Sequence, residues 1–430
     1  MSQAGEEEVL AGFLPFLPQG DRTLLGPGDD AAVARLADSR VVVSTDTMIE
    51  GVHFRLDWSD GWAVGWRLGA RNLADIAAMG ARPVAFVAAL AGPRELLTGP
   101  WTRDFARGLG QYCARWGVDV VGGDLSSAPL VAACGTALGD LPDGSSPITR
   151  AGARVGDTLA LRGPDRASSA DPSGLGLGAS AAGLAYLSSR GAGAGPLDPD
   201  SSAGAGGAAG AEAGRDGRDC GVAGGAVAGA GGALGAGPGR GGRDCGAAVG
   251  MGAAGDGIGR LVLAAVRAFL TPDPAIDQGV AAAKAGATAL IDISDGLLKD
   301  AGRMARASLT RLEIDGDAAA LASAWSRLAP LAEALGRDAW EWVLSGGEDH
   351  ALLATFPEDA RLPEGWRAIG RVVTPGERGP GVDLVWKQEL PGGPGATAAP
   401  RLRDFGSGPL VRGGWDHFIG PDDGAGATAR

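Results

Sequence analysis

The chain has 430 residues, 45% of them hydrophobic and 21% charged, which is enough for two domains with cores of their own. A net charge of −13 argues against a nucleic-acid binder, which needs a basic stripe. The four cysteines, Cys113, Cys134, Cys220 and Cys245, lack zinc-ligand spacing, and a chain this long does not need disulfide staples; free thiols in the cytoplasm are expected. Met1 to Glu8 is too acidic and polar for a signal peptide, and no apolar segment outside a low-complexity region is long enough for a membrane span.

In chain order, residues 6–18 predict a short helix ended by Pro15 and Pro18. A glycine-cornered loop with adjacent carboxylates follows, Gly26-Pro27-Gly28-Asp29-Asp30. The β-branched run at 41–44 predicts a strand that stops at a polar tip carrying Thr45 and Asp46. Helical spacing returns at 62–80 and 101–116, with a buried strand at 84–90 between them. A strand at 118–121 runs into Gly122-Gly123-Asp124, and another at 130–138 is expected antiparallel to it. This alternation predicts an α/β (α+β) domain over 1–150.

A second α/β domain is expected over 151–420, with a flexible tail at 421–430. Its predicted strands begin at 158 and recur at 289–293, 311–314, 351–356, 367–373 and 382–387. Helices are predicted at 178–189, 261–270, 275–285 and 297–307, with two more near 320–344. At about 190–259 the composition collapses to Gly and Ala, which has few side chains to bury and predicts a disordered insertion. Its Gly237-Pro238-Gly239-Arg240-Gly241-Gly242 matches a dinucleotide-binding pattern, but no strand precedes it and such a background yields the match by chance.

The chemistry lies in carboxylates. Asp29, Asp30, Asp46, Asp124, Asp292 and Asp295 each stand beyond an apolar run or in a glycine corner, and Asp75 sits on a helix whose other side is apolar. Singly, each reads as a turn or rim charge; as a set at strand ends, they read as a cation site. Several Mg²⁺ ions imply phosphate groups, yet no lysine follows a glycine, so there is no P-loop. His53, His350 and His417 are too scattered for a zinc motif, and His53 reads as a structural histidine or, near Asp46, as a substrate contact.

The ordered set Gly28-Asp29-Asp30, Ser44-Thr45-Asp46-Thr47, Gly51-Val52-His53-Phe54, Asn72-Leu73-Ala74-Asp75, Gly122-Gly123-Asp124, Thr149-Arg150, Asp292-Ile293-Ser294-Asp295-Gly296, Ser345-Gly346-Gly347-Glu348-Asp349 and Gly414-Trp415-Asp416 resembles the thiamine-monophosphate kinases. The resemblance runs from about residue 6 to 418, the insertion excepted. It implies the two-domain aminoimidazole-ribonucleotide-synthetase-like fold, with N-terminal domains paired in a homodimer and no partner nucleic acid or membrane. It implies ATP-dependent phosphorylation of thiamine monophosphate with several Mg²⁺ ions. By that resemblance Asp30, Ser44, Thr45, Asp46, Asp75, Asp124, Asp292 and Asp295 are metal ligands. Gly123, Asp124, Arg150 and Ser294 contact ATP, and His53, Glu348 and Trp415 contact the thiamine phosphate. The acceptor is an ionised phosphate oxygen, so no general base is expected. Two positions depart from the family pattern: Leu125 follows Asp124 where Thr is usual, and His350 follows Asp349 where Tyr is usual. A selenophosphate-synthetase-like enzyme is the rival of the same superfamily, but it wants a reactive cysteine and a lysine near the N-terminus. The other rival is a non-catalytic Mg²⁺- or nucleotide-binding module.

Overall fold

The computed structural model describes residues 12–25, 33–36, 40–142, 144–164, 176–189 and 257–386. The loop carrying Asp29 and Asp30, the insertion as far as residue 256, and Trp415 lie outside the described residues. Residues 257–259, expected to close the insertion, already belong to a helix. All described residues fall in one compact unit that contains two main sheets.

Strand β1 (Thr23–Leu25) pairs antiparallel with β2 (Val33–Ala34). Strands β3 (Val42–Ile49), β4 (Arg82–Gly92), β5 (Asp119–Ser127) and β6 (Ala132–Asp140) form the first sheet in the order β3-β6-β4-β5. Only β4 and β5 are parallel, as their helical crossover requires. The second sheet contains β7 (Thr158–Arg162), β8 (Ala289–Ile293), β9 (Arg311–Asp315), β10 (Ala351–Phe356), β11 (Arg367–Val373) and β12 (Gly381–Val385). Its order is β12-β9-β11-β7-β10-β8, antiparallel except for β12 and β9.

Three expectations are corrected. Strand β3 does not stop at residue 44: it continues through Ser44, Thr45 and Asp46 to Ile49, because β6 pairs with it along its whole length. Gly122-Gly123-Asp124 lies inside β5, which continues to pair with β4 as far as Ser127. Strand β6 runs antiparallel to β5, as expected, but is not its neighbour: it inserts between β3 and β4.

Helix α1 (Gly61–Ala77) lies between the first sheet and the rest of the molecule. The Asp60 carboxylate caps its N-terminus by accepting from the Ala63 N–H. Its apolar side meets Met48, Phe86 and Ala133 of the first sheet through Leu68, Leu73 and Ile76. Side chains of that size each contribute roughly 1.5–3 kcal/mol when fully buried. Gly61, Gly65 and Gly69 recur every fourth residue and form a groove for helix α2 (Pro100–Arg115). A Cβ at Gly65 would lie 2.0 Å from the Phe105 carbonyl oxygen, and one at Gly108 on the facing helix 1.9 Å from that of Trp62. Toward the second half of the chain, the Trp66 indole donates to the Pro272 carbonyl at 2.8 Å.

The second sheet carries α3 (Ala179–Ser189), α4 (Gly257–Leu270), α5 (Asp277–Lys284), α6 (Leu297–Ser308), α7 (Ala319–Ala334) and α8 (Ala339–Ser345). Helix α5 meets α1 at Gly279, where an added Cβ would lie 2.0 Å from the Ala77 carbonyl oxygen. Backbone oxygens cannot move aside as a flexible side chain can, so these glycines set helix spacing. Gly65→Ala is expected to cost about 1–3 kcal/mol, read as a lower urea midpoint. An unchanged midpoint would show that the two helices separate freely.

Candidate active site

Helix α1 presents a charged stripe: Arg67, Arg71 and Asp75 stand four residues apart on one face. Both arginines are buried, at 2% and 4% relative exposure. Their counter-charge comes from the far side of the chain. Arg67 donates from Nη2 to Glu348 Oε2 at 2.8 Å, and Arg71 donates from Nη1 to Glu348 Oε1 at 2.8 Å. Arg71 also donates from Nε to Asp46 Oδ2 at 2.9 Å. The other amino group of Arg67 donates to the His53 carbonyl at 2.9 Å, and its guanidinium lies 4.2 Å from the centroid of the Phe269 ring.

Strand alternation sorts the residues of β3. Ser44 and Asp46 face α1, and the Ser44 hydroxyl donates to Asp75 at 2.7 Å. Thr45 faces the other way, with its hydroxyl on the Gly135 carbonyl at 2.8 Å. His53, in the turn after β3, accepts at Nδ1 from the Ile49 N–H at 3.0 Å.

The second half contributes the end of β8 and the turn before β10. Asp292 is buried, 3.6 Å from His350 Nδ1, and Glu348 Oε2 is 3.7 Å from His350 Nε2. Glu348 and His350 are two of the three non-glycine residues with positive φ, at 68° and 51°, among the described residues. Their N–H groups are held by the Ser294 carbonyl at 2.8 Å and the Ile293 carbonyl at 3.0 Å. Between them Asp349 accepts from the N–H groups of Gly178 and Ser180 and so caps α3. Burial pushes the Asp349 carboxyl up to about 6.

The electrostatics follow from this packing. Burial opposes ionisation of Glu348, but Arg71 and Arg67 outweigh it and hold the carboxyl well below its usual range. Burial lowers the basicity of His350, yet Asp292 and Glu348 lift its imidazole to about 9. Asp292 is held below the usual carboxylate range against its burial by His350, Arg150 and Ser294. Asp75 differs: burial, then Asp292 and Asp46, push its carboxyl up to about 7, opposed chiefly by the Ser44 hydroxyl. It is the carboxylate that the site's own cations leave least compensated.

The structure therefore brings Ser44, Asp46, Asp75, Asp292, Glu348 and, through its charge on Asp292, Arg150 to one region. Asp295 is engaged elsewhere, by Arg303 at 2.5 Å and Lys299 at 3.1 Å. Asp124 is exposed on β5 and accepts from the Ser126 hydroxyl at 2.8 Å; its neighbour Gly123 lies against the Ala88 carbonyl. Asp30 and Trp415 lie outside the described residues. Among the described residues no group of three or more His, Cys, Asp or Glu side chains is already gathered closely enough to hold a metal ion. Sequence reasoning passed over Arg67, Arg71 and the cap at Asp349. The four-residue spacing of 67, 71 and 75 was a readable signal for the first two.

Beside Glu348 a cleft of about 250 Å³ opens between α3, α4 and α8. Phe269 and Trp342 line it with Leu184, and Arg337 and Glu341 stand among its polar residues.

Two α/β halves meeting across a carboxylate-rich seam define the class. The family described as AIR synthase related protein, N-terminal domain, matches residues 28–141. A thiamine-monophosphate kinase of Mycobacterium tuberculosis (strain ATCC 25618 / H37Rv) is 36% identical over 392 residues, 91% of this chain and 91% of that protein. The crystal structure of thiamine monophosphate kinase from Aquifex aeolicus shares the fold, with a TM-score of 0.57 at 24% identity over 83% of this chain and 91% of that one. AaThiL complexed with AMPPCP and TMP does so with a TM-score of 0.56 at 24% identity, over 88% of this chain and 87% of that one. The chain belongs to the thiamine-monophosphate kinase family.

The position of Asp75 makes stability depend on pH when no cation is present. Its carboxyl holds a proton up to about pH 7 when folded but only to about 3.8 when unfolded, so native stability falls as pH rises through that window. Asp75→Asn keeps a hydrogen-bond acceptor and removes the charge. In chelator, its stability relative to wild type is expected to rise between pH 4 and 7 by about 1 kcal/mol or more. A difference that does not change with pH would contradict the assignment.

Proposed function

We propose that the protein transfers the terminal phosphoryl group of ATP to the phosphate of thiamine monophosphate, giving thiamine diphosphate and ADP. The observation that carries the reading is Asp75: a half-buried carboxyl facing Asp46 and Asp292 from two different sheets, with only a hydroxyl bonded to it among the described residues. That donor chemistry fits a hard divalent cation, whose binding would relieve the repulsion among the three carboxylates. The absence of a closed cage among the described residues fits ligands that assemble around the ions, with Asp30 supplied by the loop at 26–32.

In this reading Asp30, Ser44, Asp46, Asp75, Asp124, Asp292 and, once released from Arg303 and Lys299, Asp295 supply side-chain ligands for Mg²⁺; the Thr45 side chain faces away from α1 and is not among them. When bound, the ions supply charge neutralisation for phosphates that would otherwise repel one another. The chain's own part is positioning. Arg150, already beside Asp292, together with Gly123, Asp124 and Ser294 holds ATP. His53, Glu348 and Trp415 hold the thiamine phosphate, and the cleft of Phe269 and Trp342 beside Glu348 is large and apolar enough for part of an aromatic substrate. No side chain needs to remove a proton, because the attacking phosphate oxygen is already ionised at neutral pH. Cys113, the first cysteine, is fully buried with its thiol pushed up by that burial, which disfavours the rival that requires a reactive cysteine near the N-terminus.

The same reading divides the chain near residue 150, between the two main sheets, and pairs the first sheet with that of a second copy. The face of β3 turned away from α1 supports the pairing: Val43 is 60% exposed, and Thr45 and Thr47 beside it are exposed and uncharged. Among the described residues no helix is long and apolar enough to cross a membrane, and we place the enzyme in the cytoplasm.

Purified protein with ATP, Mg²⁺ and thiamine monophosphate is expected to form thiamine diphosphate, with loss of activity in EDTA. Asp292→Asn should lower kcat by about 100-fold, the scale of losing a group that stabilises transition-state charge. No product from folded protein would refute the reading. Val43→Asp is expected to shift the protein from dimer to monomer in sedimentation; an unchanged mass would remove this face from the interface.

A further inference from the structure

Arg71 is the one described side chain that hydrogen-bonds both a carboxylate assigned to the cations and the carboxylate assigned to the substrate; His350 faces such a pair, Asp292 and Glu348, only at 3.6 and 3.7 Å. Its Nε reaches Asp46 Oδ2 at 2.9 Å, and its Nη1 reaches Glu348 Oε1 at 2.8 Å and Oε2 at 3.0 Å. Arg67 holds Glu348 as well but makes no bond to Asp46, so Glu348 keeps a counter-charge without Arg71 while Asp46 loses its bonded cation. The Arg71 side chain is only 5% exposed, so its charge acts with little solvent screening. Glu348 is similarly enclosed at 7%, whereas Asp46 is 32% exposed and open to a second partner.

We infer that Arg71 is a positioning residue that serves as the built-in counter-ion of the cation site and ties that site to the substrate carboxylate. The inference rests on the metal reading proposed above. Its physical content has a definite sign. A fixed guanidinium on Asp46 occupies part of that carboxylate's hydrogen-bonding capacity and repels an incoming divalent ion. The wild-type site therefore binds the cation more weakly than its carboxylates alone would. In exchange, the planar fork locks the orientation of Glu348 relative to Asp46, which an ammonium on a flexible stem cannot do. Loss of the charge and loss of the fork thus have different consequences. Removing the charge tightens cation binding, whereas removing only the fork loosens the substrate.

The test uses the full-length protein, with Mn²⁺ as the probe and free Mn²⁺ read by electron paramagnetic resonance without nucleotide or substrate. Wild type, R71M and R71K are compared, with folding checked by circular dichroism. R71M is expected to bind Mn²⁺ at least threefold more tightly than wild type, and R71K within twofold of wild type. Both are expected to raise KM for thiamine monophosphate by about tenfold. A merely structural role would weaken both ligands together, so unchanged or weaker Mn²⁺ binding by folded R71M overturns the inference. If R71M does not fold, R71K decides: a wild-type KM overturns the tie, and a raised KM with unchanged Mn²⁺ affinity supports it. Wild-type protein that binds no Mn²⁺ refutes the metal reading itself, and the inference falls with it.

Discussion

The structure depends on two arginines buried in the middle of a helix. Arg67 and Arg71 are enclosed on α1, and an isolated guanidinium there would be prohibitively costly. Glu348, from a turn 281 residues after Arg67 and 277 after Arg71, supplies the compensating charge through both of its oxygens. The ion pair therefore works as a register pin between the first sheet, which carries α1, and the second, which carries Glu348. Removing one partner of such a buried group costs roughly 3–5 kcal/mol, because the charge left behind has nowhere to go. The glycines at 61, 65 and 69 belong to the same design: they bring α2 close on one face so that the opposite face of α1 can serve the seam.

The turn that supplies Glu348 is strained. Glu348 and His350 both hold positive φ, a conformation that costs a non-glycine residue of order 1–3 kcal/mol. Three attachments maintain it: backbone bonds to Ser294 and Ile293, the Asp349 cap on α3, and the ion pairs of Glu348. Gly346 and Gly347 permit the approach, since an added Cβ would lie 2.3 Å from the Trp342 carbonyl oxygen and 2.4 Å from that of Ser294. His350 places its imidazole between Asp292 and Glu348, 3.6 and 3.7 Å from their oxygens. Asp46 on one side of the seam and Glu348 on the other thus share the buried positive charge of Arg71, with Arg67 on Glu348 and the His350 imidazole between Glu348 and Asp292.

Much of this was legible in the sequence. The strands 289–293 and 351–356 are short apolar runs bounded by turn residues, and each matches a strand of the fold. Asp46 and Asp292, two of the carboxylates singled out in the sequence, act electrostatically on a third, Asp75. Three features were not readable, each for a physical reason. Strand β3 outlasts its apolar run because pairing with β6, a non-local event, extends it through polar residues. The order of the first sheet could not be read from local pattern, which does not say that β6 inserts between β3 and β4. The partners of Arg67 and Arg71 were hidden because a charge on a helix face reads as solvated until the opposing carboxylate is known.

We propose that Asp46, Asp75 and Asp292, brought together by this seam, hold the cations over which two phosphates meet. A crystal structure with a non-hydrolysable ATP analogue, thiamine monophosphate and Mg²⁺ tests it most directly. Mg²⁺ is expected to bond to oxygens of Asp46, Asp75 and Asp292, with the nucleotide phosphates on the opposite side of the ions and Glu348 beside the thiamine. Ions and phosphates bound elsewhere, with Asp75 still bonded only to Ser44 and Asp46 only to Arg71, would contradict it.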